Sequence, residues 1–242
     1  MNRRPSRCAR PASPSPEAVS TPAKRPGKAP RVRAAVSALA LSAALAGCGA
    51  SAPVNYYTLQ GPSAPAAAAG GAPSAPYLVD VQPVNVSTQA DQPQLMVRTG
   101  DGSLSALYSE RWSSPLGDEL RGALSDSLKR ELGALDVQMV KPGPGAAVWR
   151  VQTDVQRFEL VSGSVAQLDA TWRVRPVNMK GAGLLCRSVV TETVTEAGVP
   201  ALIAAQQRAV AGLAATMASA IRGQSPAGTA SVQMLGCSAL KD

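Results

Sequence analysis

Three runs of alternating apolar and polar residues follow one another near the middle of the chain, at 148–160, 165–177 and 185–194. The second is the clearest. Leu168, Ala170, Trp172 and Val174 alternate there with Asp169, Thr171, Arg173 and Arg175. A period of two sends successive side chains to opposite faces of a sheet. Three such runs separated by short breaks predict an antiparallel meander with one dry face and one wet face. The first run changes phase near Phe158, and Pro142-Gly143-Pro144-Gly145 precedes it as a turn.

The dry face needs a cover, and the sequence offers two helices. Leu116, Leu120, Leu124, Leu128, Leu132 and Leu135 recur at helical spacing. Ser114 is placed to cap this helix with Pro115 at its first position. Asp118 and Glu119 fall in the first turns and Lys129 and Arg130 late, as the helix dipole prefers. The acidic pair has no convergent partner in the sequence and reads as a solvated face. A second helix is predicted after Pro200, with Ile203, Val210, Leu213, Ala214, Met217 and Ile221 as its stripe and Gly223 as its end. Upstream, 78–86 reads as a strand. Residues 94–99 and 103–108 read as a hairpin turned at Asp101-Gly102. The expected fold is α/β: a single compact domain over 77–223, a mixed, antiparallel-rich sheet covered by two long helices. Residues 224–242 read as a tail, and no internal repeat is found.

Between positions 49 and 76 the chain is dominated by Ala, Gly, Pro and Ser. Such a composition buries no core, so 48–76 reads as a tether. Tyr56-Tyr57-Thr58-Leu59 interrupts it. The two tyrosines are candidate partner contacts, by strand addition to a second copy or another protein. The alternative is that they fold back on their own domain.

Farther upstream the order is basic, apolar, small. Arg31 and Arg33 precede a stretch, 34–46, that is apolar except for Ser37 and Ser42. A stretch of that length makes a helix of about 20 Å, too short for a hydrocarbon core of about 30 Å. This is the pattern of an export signal. Leu45-Ala46-Gly47-Cys48 resembles the lipobox of bacterial lipoproteins. That resemblance implies thioether-linked lipid on Cys48 and cleavage between Gly47 and Cys48, so that 1–47 is a removed leader. Gly49 in place of aspartate implies the outer membrane rather than retention at the inner one.

Charge and composition narrow the function. The formal charge is +8, but nine basic residues and one acid precede Cys48. From Cys48 onward, 15 basic residues balance 15 acidic ones. A neutral mature chain lacks the footprint of a nucleic-acid binder. With no histidine, His-based triads, general bases and metal sites are excluded. No catalytic site, metal site or cofactor is expected beyond the lipid on Cys48. Gly181-Ala182-Gly183 lies between two strands and reads as a turn, not as a phosphate loop. Of four cysteines, Cys8 goes with the leader and Cys48 is lipidated. The remaining pair, Cys186 and Cys237, is expected to form a disulfide in an oxidising compartment.

Several short motifs in this order resemble one family. They are the lipobox, Tyr56-Tyr57-Thr58-Leu59, Gln92-Pro93-Gln94-Leu95, Arg111-Trp112-Ser113-Ser114-Pro115-Leu116, and Val199-Pro200-Ala201-Leu202 before an Ala-rich helix. Together they are similar to PqiC, the auxiliary lipoprotein of MCE-type, ABC-like transport systems. The resemblance implies a non-enzymatic subunit on the periplasmic face of the outer membrane. It implies an MCE-domain partner, a role in lipid transport and envelope integrity, and homo-oligomerisation as an option. A structural lipoprotein of envelope assembly, serving secretion or lipopolysaccharide export, is the alternative, with a lipidated enzyme third.

Overall fold

The computed structural model describes residues 53–61, 75–99 and 102–240. The leader 1–47, with Gly47, Cys48 and Asp101, lies outside the described residues. The strands are β1 (Asn55–Tyr57), β2 (Leu78–Val81), β3 (Asn85–Val86), β4 (Gln94–Arg98), β5 (Leu104–Trp112), β6 (Val148–Val161), β7 (Val165–Val177), β8 (Gly183–Thr193) and β9 (Val232–Leu240). The helices are α1 (Leu116–Leu132) between β5 and β6, and α2 (Val199–Ile221) between β8 and β9.

All nine strands join one mixed sheet in the order β1-β5-β4-β6-β7-β8-β9, with β2 and β3 also against β6. β6 is the spine. Along one edge it takes β2, β3 and the end of β4, all parallel. Along its other edge it starts the antiparallel meander β6–β7–β8. The phase change near Phe158 is a register shift between Val155 and Arg157, where a bulge inserts an extra residue and turns the strand. The strand expected over 78–86 breaks into β2 and β3 at Pro83, which has no N–H for the ladder. Just before it, Gln82 N–H donates to Val151 O at 2.9 Å, and pairing to β6 resumes at Asn85.

The alternation buries Val151, Thr153 and Val155 of β6 and Leu168, Ala170, Trp172 and Val174 of β7. Against this face lie α2, packed on β7 and β8, and α1, packed on α2 and β2. The leucine row Leu116, Leu120, Leu124 and Leu128 is 1% exposed or less. α1 comes so near the sheet that a Cβ on Gly117 would stand 2.8 Å from Val84 O. Gly133, at φ 62°, ends α1 in the left-handed conformation, and Gly223, at φ 75°, follows the end of α2. Trp112 meets Phe158 edge to face, with ring centroids 5.8 Å apart, tying β5 to β6.

The mixed α/β sheet and its two helices agree with the sequence reading. The boundaries at 77 and 223 are too narrow. β1 pairs in parallel with β5, and Leu59, just beyond it, is 2% exposed in the core. Residues 53–61 therefore belong to the domain and not to a tether. At the other end, β9 adds nine residues to the sheet where a tail was expected. Ser114 is also not the helix cap: Pro115 takes that position with no side-chain bond, and the Ser114 hydroxyl is directed elsewhere.

Candidate functional site: a buried carboxylate holding the amino-terminal strand

The segment Asn55–Tyr57 is too short to hold itself on a sheet edge. Three register pairs attach it: Asn55 to Glu110, Tyr56 to Arg111 and Tyr57 to Trp112. Thr58 and Leu59, just beyond it, are more firmly held. Glu119 sits in the first turns of α1 and is 3% exposed. Its Oε1 accepts from Ser113 Oγ at 2.6 Å and Ser114 Oγ at 2.8 Å. Its Oε2 accepts from Thr58 Oγ1 at 2.7 Å and from the Leu59 backbone N–H at 2.9 Å. One carboxylate thus joins three stretches of chain: the end of β1, the β5–α1 turn and α1 itself.

Further bonds reinforce the joint. Ser113 N–H donates to Tyr57 O at 2.8 Å, Gln207 of α2 donates to Thr58 O at 3.0 Å, and Asn55 Nδ2 donates to Glu110 Oε1 at 3.0 Å. Burial alone would raise the carboxyl pKa. The hydrogen bonds from Ser113, Thr58, Leu59 and Ser114 outweigh it, and the net shift is downward. The helix N-terminus also favours a negative charge here. An ionised carboxylate with both oxygens doubly engaged is a poor proton acceptor, so the group's chemistry is structural. The reading of Glu119 as a solvated face is therefore corrected. Two of its partners, Thr58 and Leu59, lie far upstream in sequence, and the other two are serine hydroxyls, one of which sequence reasoning placed in a cap.

The two candidate contact tyrosines separate. Tyr57 turns inward and packs against the core, which is the fold-back alternative, while Tyr56 is 65% exposed. At the far edge of the sheet, Cys186 and Cys237 are joined by a disulfide across directly paired positions of β8 and β9. Cys186 also pairs in register with Trp172, whose indole N–H donates to Ser188 Oγ at 2.8 Å. The sheet is thus fastened near each edge, by Glu119 at β1 and by the disulfide at β9. A shallow cleft of about 230 Å³ lies between the loop after β3 and strands β4, β5 and β6, lined among others by Ser87, Arg98, Arg157 and Glu159. Arg98 and Glu159 pair at 2.6 Å and satisfy each other.

Comparison with known proteins places this geometry. Residues 57–218 match the family described as ABC-type transport auxiliary lipoprotein component. The chain belongs to this family. The match begins at Tyr57, inside β1, so the family domain includes part of the stretch that composition alone assigned to a tether. It ends before β9, leaving Cys237 outside the matched residues. A crystal structure of an uncharacterized protein is 17% identical, covers 70% of this chain and 99% of that one, and superposes with a TM-score of 0.55. At that identity the likeness establishes the fold alone. A crystal structure of a Xanthomonas campestris protein is 15% identical over 71% of this chain and 95% of that one, with a TM-score of 0.45. No curated protein matches the chain. The family description makes this an auxiliary lipoprotein of an ABC-type transport system.

Proposed function

We propose that the mature chain begins at Cys48, carries covalent lipid there, and works on the periplasmic face of the outer membrane. In this reading it is a non-enzymatic auxiliary subunit of an MCE-type, ABC-linked system that moves lipid and maintains the envelope. The family match over residues 57–218 carries the proposal. The lipobox at Leu45-Ala46-Gly47-Cys48 and glycine at position 49 support the anchor and its membrane. The partner is an MCE-domain protein that reaches across from the inner membrane. The PqiC-like order of short motifs supports that choice over a secretion or lipopolysaccharide-export partner.

Affinity capture of the lipidated chain from solubilised envelopes tests the partner. Recovery of an MCE-domain protein together with a permease or ATPase is expected. Recovery of a secretion or lipopolysaccharide-export component in its place would overturn the assignment. Intact mass tests the anchor. Membrane-extracted protein is expected to lack residues 1–47 and to carry added acyl mass, and Cys48→Ala is expected to leave unprocessed or soluble protein.

A further inference from the structure

The locked position of β1 limits where a lipid anchor can hold this domain. Pro53 is the first described residue, and Cys48 stands five residues before it. Chain covers at most about 3.6 Å per residue, so Cys48 lies within about 18 Å of the point where the chain leaves the domain. That point is fixed on the domain, because Thr58 and Leu59 are bound to Glu119 and β1 is paired to β5. The opposite edge, β9, is six strand positions away in the sheet order. At about 4.8 Å per strand this is about 29 Å. So short a leash does not let the β9 edge rest on the bilayer while β1 points away from it.

The surface around the exit point has the chemistry of an interface. Six large apolar or aromatic residues are exposed among those described: Val54, Tyr56, Tyr108, Met139, Val140 and Leu235. Val54 and Tyr56 lie in or beside β1, and Tyr108 lies in β5, the strand that β1 pairs with. Tyr108 stands two residues before Glu110 in β5, as Pro53 stands two before its partner Asn55. The two tyrosines are 65% and 74% exposed. Tyrosine combines an apolar ring with a polar tip and is enriched at the level of lipid headgroups.

We infer that the β1–β5 edge is the membrane-facing surface of the domain, with Val54, Tyr56 and Tyr108 seated in the headgroup region of the bilayer that holds the Cys48 lipid. This rests on the lipidation of Cys48 proposed above. The domain then does not hang free on a long Ala/Pro tether. It lies edge-down with a fixed orientation, and the β9 edge points away from the membrane.

The full lipidated protein, reconstituted in phosphatidylethanolamine–phosphatidylglycerol vesicles, tests this. Single variants Val54→Cys, Tyr108→Cys, Met139→Cys and Leu235→Cys receive an environment-sensitive fluorophore, and lipids bearing headgroup nitroxides act as quencher. Quenching is expected to be several-fold stronger at positions 54 and 108 than at 235, with a blue shift at the first two only. Equal quenching at all four positions in protein that floats with the vesicles and carries acyl mass would overturn the orientation while leaving the anchor intact. So would probes at 54 and 108 that ignore lipid quencher but become shielded on adding an MCE-domain protein or on raising protein concentration. Protein that neither floats nor carries acyl mass would remove the anchor and the orientation together.

Discussion

Glu119 holds one negative charge in a nearly dry site by giving every acceptor direction a donor. Removing such a group leaves several donors unsatisfied at once, whereas a typical neutral hydrogen bond contributes about 1 kcal/mol net. Its folded pKa lies below the ordinary carboxyl value. The stability it contributes is therefore complete above the unfolded pKa of about 4.3 and is lost as pH falls through the lower folded value. Thermal melts of wild type are expected to hold their midpoint down to about pH 4.5 and then to fall. Glu119→Gln keeps the shape but cannot ionise. It is expected to cost about 1.5–3 kcal/mol at pH 7, the range for hydrogen bonds to charged groups. The gap between variant and wild type is expected to narrow in acid as wild type loses its charge. A gap that stays constant from pH 7 to pH 3 would show that the carboxylate's charge is not what holds the site.

At the scale of elements, the parts legible in the sequence were those with a long period. β6, β7 and β8 announce themselves by alternation, and α1 and α2 by apolar residues at helical spacing. Their signals are local, because burial on one face repeats along each segment. β1 and β9 are different. β1 has three residues in a stretch dominated by Ala, Gly, Pro and Ser, and its place is set by Glu119, far away in sequence. β9 reads Val-Gln-Met-Leu-Gly-Cys-Ser-Ala-Leu, with small residues and little alternation. The one signal for it was Cys237, whose bridge to Cys186 requires the tail to lie beside a strand. Both edge elements contribute energy that their composition hides. Leu59→Ala opens a cavity in the core beside β1 and is expected to cost about 2–5 kcal/mol, seen as a lowered denaturation midpoint. An effect below about 1 kcal/mol would return the segment to the status of a tether. Cys237→Ser releases a loop with a sequence separation of 51. It is expected to destabilise by up to about 4 kcal/mol in the chain-entropy model. Amide exchange in the variant is expected to rise first in β9, which borders only β8.

Across the whole molecule, the two fastenings sit at opposite ends of one sheet. Four strands, β4, β6, β7 and β8, stand between the β1–β5 pair and β9 in the sheet order. At about 4.8 Å per strand, β1 and β9 are about 29 Å apart. Perturbations farther apart than about 10 Å with no shared partner add to within about 0.5 kcal/mol. Glu119 bonds to Ser113, Ser114, Thr58 and Leu59, and Cys186 and Cys237 neighbour Trp172 and Ser188. The two sets share no residue. Glu119→Gln and Cys237→Ser combined are therefore expected to lose the sum of the separate losses, measured from urea melts at pH 7 with unchanged slopes. The physical content is that each edge closes on the same cooperative core without the help of the other. A coupling above about 1 kcal/mol would mean that strain at one edge crosses the sheet to the other, and the edges would then have to be treated as one device. An additive result leaves the β1 edge free to take up a membrane-bound position without loosening β9. That independence is what the proposed anchoring at the β1 edge requires.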